Sequence, residues 1–136
     1  MAFERQEKER SILRKEVIRT DHAPSPIGSY SQGLKVGNTI YTAGQVGKDP
    51  TTGKLLDGIA EQTRQALENI RAILNAAGAD MDNVVKITVY LQNLGDFTEF
   101  DSVYQSFFPS SPPVRTTVQS ELGCILVEID ALAILQ

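Results

Sequence analysis

Residues 112–136 read PPVRTTVQSELGCILVEIDALAILQ. Two apolar, β-branched runs flank Ser120-Glu121-Leu122-Gly123, the pattern of two strands and a turn. The run from Cys124 to Leu135 is apolar at nearly every position, which suits a strand covered on both faces. Into these strands the chain sets one cation, Arg115, and two carboxylates, Glu128 and Asp130. A charge in a covered strand is costly unless a partner, a ligand or a water-lined pocket receives it. What Arg115 and Glu128 face is therefore the sharpest question the sequence asks.

Working outward, Asp96 to Phe108 carries Phe97, Phe100, Val103, Tyr104, Phe107 and Phe108 at helical spacing. Asp96-x-x-Glu99 resembles a capping box at its start, and Pro109 stops it. The aromatic stripe reads as core. Before it, Val84 to Gln92 is a strand, with Val85, Ile87, Val89 and Leu91 on one face and Lys86, Thr88 and Gln92 on the other. Ile59 to Ala77 is the clearest helix, its apolar stripe running Ile59, Thr63, Ala66, Leu67, Ile70, Ile73, Leu74 and Ala77, with Gly78 at C′. Ser31 to Val36 and Thr39 to Ala43 read as strands around a Gly37-Asn38 hairpin turn. The small residues of Thr42-Ala43-Gly44-Gln45 let a backbone or ligand come close. Glu16-Val17-Ile18 is a short edge strand. His22 to Gly28, with its prolines, is an irregular loop leading into Tyr30. Met1 to Arg14, dense in both charges, reads as a solvated, flexible extension, and 15–136 as one domain.

The pattern predicts an α+β layer, a mainly antiparallel sheet with both helices on one face. If the helices cover Ile125, Val127 and Ile129, the even face with Leu126, Glu128, Asp130, Leu132 and Ile134 needs another cover. A second subunit is the simplest one, giving a closed oligomer with pockets at its seams.

Bulk properties narrow the function. A net charge of −4 and a pI near 5.0 argue against nucleic acid or an anionic membrane as partner. No run is long enough to span a bilayer, and no signal-peptide core opens the chain. The single Cys124 excludes an internal disulfide and fits a reducing, cytosolic setting. It reads as a small buried side chain. No metal-ligand cluster of familiar spacing, phosphate loop or nucleophile elbow is present.

Arg115 offers a planar fork matched to a carboxylate, and Thr117 shares its strand face. Glu128 in apolar surroundings has the character of a base that handles a water proton. Together they describe a site where water attacks a small carboxylate-bearing molecule. A structural Arg115–Glu128 ion pair that only fixes register is the competing reading. Tyr30 is a smaller candidate for the pocket, and Asp130 pairs with a Lys or Arg or serves as a second pocket carboxylate.

Several segments then resemble a known family. They are Ala23-Pro24-x-Pro26-Ile27-Gly28-x-Tyr30-Ser31-Gln32, Thr42-Ala43-Gly44-Gln45 and Gln62-Thr63-Arg64-Gln65-Ala66-Leu67-Glu68-Asn69. Val84-Val85-Lys86-x-Thr88-Val89-Tyr90-Leu91, Asp96-Phe97 and Pro113-Val114-Arg115 … Val127-Glu128-Ile129 follow in order. From Lys15 onward the chain resembles the RidA (YjgF, UK114) family of enamine/imine deaminases. The resemblance implies a chorismate-mutase-like α+β fold and a homotrimer whose sheets line a barrel, with pockets between subunits. It implies cofactor-free hydrolysis of 2-iminobutanoate and 2-iminopropanoate to 2-oxo acids and ammonia. By the same resemblance Arg115 binds the substrate carboxylate, Glu128 positions the water and Tyr30 lines the pocket. Backbone groups at Ala43-Gly44 contact the nitrogen end. A non-enzymatic carboxylate binder or chaperone-like member is the alternative. RNA cleavage, also attached to relatives, is disfavoured by the acidic pI. Three positions depart from the pattern: Thr117, where many members have Cys; Asp101, where some have an Asn near the pocket; and a short Arg115–Glu128 connection without the common Leu-Pro. Asp101 would repel an anionic substrate if it pointed inward.

Overall fold

In a computed structural model, the described residues are 13–136. The expected extension, Met1 to Arg14, therefore lies outside them except for Leu13 and Arg14, which are exposed. The strands are β1 (Glu16–Ile18), β2 (Gly33–Val36), β3 (Thr39–Thr42), β4 (Gln45–Val46), β5 (Val84–Leu91), β6 (Val114–Gln119) and β7 (Val127–Ile134). The helices are α1 (Gly58–Ala76) and α2 (Phe97–Tyr104), with short 3₁₀ turns at Met81–Asn83, Leu94–Asp96 and Gln105–Phe107.

One sheet runs β1-β2-β3-β7-β5-β6, with β4 also on β7. All pairs are antiparallel except β5 with β6. The two carboxyl-terminal strands thus do not pair with each other, and β5 lies between them. The seven-residue connection is pinned instead by amides: Leu126 N donates to Gln62 Oε1 at 2.9 Å, and Leu122 N donates to Gln92 Oε1.

Alternation sorts the sheet as expected. Val127, Ile129, Ala131 and Ala133 of β7 are buried, beside Ile87, Val89 and Leu91 of β5. On this inner face α1 buries Ile59, Ala66, Leu67, Ile70, Ile73 and Leu74, and packs on β7, β4, β3 and α2. The 3.6-residue stripe met by a period-two face makes the core. Phe100, Tyr104 and Phe108 close it from α2 and the turn after it.

The outer face carries Glu128, Asp130, Leu132 and Ile134 with their register partners Tyr90, Thr88, Tyr41 and Thr39. Among the described residues no helix covers it, and Tyr41, Val114, Val118 and Ile134 remain exposed. The Gly37 turn forms as read, with only Gly37 taking positive φ, which places glycine first in the turn.

Three local expectations are corrected. Val85 does not join the Ile87 face: the register slips between Val84 and Lys86, so Val84 turns inward and Val85 is exposed. No side-chain cap forms at Asp96, whose φ of −84° and ψ of 0° continue the preceding 3₁₀ turn. A reciprocal box forms elsewhere, at Asp80 and Asn83. Cys124 is exposed rather than buried, because strand β7 begins only at Val127.

Candidate active site

Residues that share a register row across neighbouring strands share a sheet face. Ile87 pairs with both Arg115 and Ala131, so Arg115 points to the inner, helix-covered side. Tyr90 pairs with both Val118 and Glu128, so Glu128 points outward. Within one chain the two groups therefore lie on opposite faces, and neither the two-residue site nor the register-fixing ion pair forms.

Arg115 meets Asp101 of α2 instead. Its Nη1 donates to Asp101 Oδ1 at 2.6 Å, with the two side chains 22% and 41% exposed. The aromatic stripe supplies the platform: the guanidinium carbon lies 4.6 Å from the Tyr104 ring centre, 5.3 Å from Phe97 and 5.5 Å from Phe100. A weakly hydrated planar cation suits such stacking. Beside it opens a cavity of about 450 Å³, lined by Asp101, Tyr104, Phe108, Pro109, Pro113 and Arg115. Burial pushes the Tyr104 phenol up to about 12, against the opposing pull of Arg115. No hydrogen bond of acceptable geometry reaches its buried hydroxyl, although the guanidinium lies over its ring. Thr117 shares the Arg115 face, as expected from alternation.

On the outer face Glu128 gathers the second set of candidates. From Tyr41 to Gln45 the chain takes four steps while β7 takes three, from Leu132 to Ile129. One residue is extra, so the Ala43-Gly44 segment bulges between β3 and β4. A Cβ on Gly44 would stand 2.8 Å from Glu128 Oε2, so glycine there lets the carboxylate lie against the backbone. Burial, then the neighbouring Asp130, raise the Glu128 pKa. Asp130 is raised by burial too, with Lys86 and Thr88 pulling it down. Tyr30 is about half exposed, and its hydroxyl accepts from Ile27 N at 3.2 Å, anchoring the proline-rich loop.

Two buried amides that hold the backbone around the candidate site carried no chemical reading in the sequence. Asn69 is fully buried and donates to the carbonyls of Val46 and Lys48 at 3.1 and 3.0 Å. Gln62, also buried, ties Leu56 to the β6–β7 connection. Their signal was a polar residue flanking the apolar stripe of α1. Among the described residues, no group of three His, Cys, Asp or Glu could hold a metal ion, and no helix is long and apolar enough to cross a membrane.

A mixed sheet backed by two helices, with a ring-stacked arginine at one cavity and a raised carboxylate behind a glycine bulge, defines a small α+β protein with its candidate groups divided between the two sheet faces. The chain belongs to the RidA family: the family model described as Endoribonuclease L-PSP matches residues 20–135. A RutC family protein of Pyrococcus abyssi is 50% identical over 124 residues, covering 89% of this chain and 98% of the relative. The mouse 2-iminobutanoate/2-iminopropanoate deaminase is 46% identical over 127 residues, 91% of this chain and 93% of that protein. Among solved structures, E. coli TdcF with bound serine superposes with a TM-score of 0.86 at 35% identity, covering 89% of this chain and 99% of that one. The E. coli YjgF gene product gives 0.86 at 36%, with the same coverage.

Proposed function

We propose that this protein hydrolyses reactive 2-imino and enamine acids, 2-iminobutanoate and 2-iminopropanoate, to 2-oxo acids and ammonia. The observation that carries the reading is the division of chemistry between the two sheet faces. A cavity arginine suited to a carboxylate stands on one face, and a carboxyl with raised pKa stands behind a backbone bulge on the other. One chain holds both halves and joins neither, so the site is completed between copies, in a homotrimer with pockets at its seams. The uncovered outer face, with Tyr41, Val114, Val118 and Ile134 exposed, supports that assembly. The relatives named as deaminases support the reaction.

In this scheme Arg115 of one protomer and Thr117 beside it hold the substrate carboxylate, with Tyr30 lining the pocket. Glu128 of the neighbour takes a proton from water as the water oxygen bonds to the imine carbon. The nitrogen, held by backbone at Ala43-Gly44, takes up protons and leaves as ammonia, and the carbonyl of the 2-oxo acid forms. An imine is already electrophilic, so orientation and one placed water supply most of what is needed, and no cofactor enters. The setting is the cytosol.

Two inactive variants test the scheme. Arg115→Ala and Glu128→Gln each lose turnover, while Glu128→Gln still binds 2-oxobutanoate. Unfolded together and reassembled one to one, they regain roughly a quarter of the wild-type rate, the chance that a random seam draws each group from the intact parent. No recovery from the mixture refutes the shared site. Full turnover in Glu128→Gln refutes the enzyme and leaves a carboxylate-binding protein.

A further inference from the structure

Asp101 stands out from everything the reaction uses. Its Oδ1 takes one arm of the Arg115 fork at 2.6 Å. A carboxylate ligand needs both arms for bidentate binding. The pair sits on the wall of the cavity, partly open to solvent, so a ligand reaches it without any rearrangement of the core. A second observation marks the same wall as unfinished. Tyr104 is 4% exposed, lines the cavity, and has a buried hydroxyl that lacks a hydrogen-bond partner. A buried unpaired hydroxyl is uncommon and is satisfied by a ligand or water. The nearest charge to any ligand anchored there is therefore not the cation alone but a cation already neutralised.

We propose that Asp101 is the specificity-determining residue of this site, a resident competitor for the Arg115 guanidinium that admits small monocarboxylates and rejects dicarboxylates. A monoanion shares the fork and faces Asp101 across the guanidinium, with the Tyr104 ring beneath it. A second negative charge on the same ligand meets no further cation among the lining residues, whose charged members are Asp101 and Arg115. In so small a space it lies within a few ångströms of Asp101, where like charges repel strongly. The inference rests on the deaminase reading only in taking Arg115 as the carboxylate anchor.

The test measures Kd by calorimetry for 2-oxobutanoate and 2-oxoglutarate on the wild-type protein, Asp101→Asn and Glu99→Gln. Glu99 is an exposed acid on the same helix and controls for net charge. Asp101→Asn tightens 2-oxobutanoate on the order of tenfold and 2-oxoglutarate by more, while Glu99→Gln moves neither beyond about twofold. With 2-iminobutanoate the gain in Asp101→Asn falls mainly on KM. An unchanged or weaker Kd, or an unchanged ratio between the two ligands, overturns the proposal. Binding that follows the expected pattern without turnover in any protein refutes the deaminase reading alone. Turnover with no effect of Asp101→Asn refutes this inference alone, and no binding by any of the three refutes both.

Discussion

The two faces of the sheet treat charge in opposite ways. On the helix side Arg115 is stacked on three rings and paired with Asp101, so its cation is neutralised before any ligand arrives. On the outer side Glu128 and Asp130 sit near each other without a full counter-ion, and both carboxyls are pushed up. The difference teaches that a strand charge is settled by what the neighbouring element offers. The helix face offered an acid and aromatic rings, whereas the outer face offered strands only.

The largest effect that sharpens this contrast is on turnover. Arg115→Ala lowers kcat/KM for 2-iminobutanoate about a thousandfold, about 4 kcal/mol of transition-state stabilisation, with the oligomer intact by light scattering. A near-normal rate would break the assignment of the cation to substrate. Next comes stability. Ile129→Ala on the inner face costs about 3 kcal/mol in urea unfolding, because Ile129 is fully buried among α1 and its strand neighbours. Leu132→Ala on the outer face costs less when measured on the dissociated chain, since it is only partly covered there. Equal costs would mean the outer face is not the open one.

A smaller kinetic effect follows at Gly44. Gly44→Ala places a methyl against the end of the Glu128 side chain, which swings aside, so turnover drops roughly tenfold while stability changes little. The smallest effect is that of Asp130→Asn. A carboxyl whose pKa is raised by folding binds protons more tightly when folded, so its charged form opposes folding above that pKa. The penalty is relieved as pH falls through the raised value toward the ordinary carboxylate range. Asp130→Asn therefore raises Tm at pH 7 by roughly 2 °C, the size of a change near 0.5 kcal/mol, and flattens the rise in stability on mild acidification. A lower Tm at pH 7 would show that Lys86 outweighs burial at Asp130.

Much of this was legible in residue patterns, and the misses have physical causes. The stripe of α1 and the alternation along β7 were readable because burial selects apolar residues at fixed periods. The helix side of β7 followed from that alternation alone. The relation of Arg115 to Glu128 was not readable. Parity holds only within a strand, and the connection between β6 and β7 erases it. Strand β5, inserted between them and parallel to β6, fixes the two side chains on opposite faces. The slip at Val85 was hidden because a bulged valine reads like any other strand valine. Asp96 and Asp80 both precede helical turns, and only backbone geometry chose which one caps. Cys124 lost its burial when the apolar run outlasted the strand it feeds.

The amide of Asn69 has a reach beyond the helix that carries it. It grips Val46 and Lys48 just downstream of the bulge at Ala43-Gly44, from the side away from solvent. The helix thus works as a clamp on the back of a strip whose front meets Glu128. Loosening the clamp with Asn69→Ala would blur the seat of Glu128 from the opposite side of the sheet.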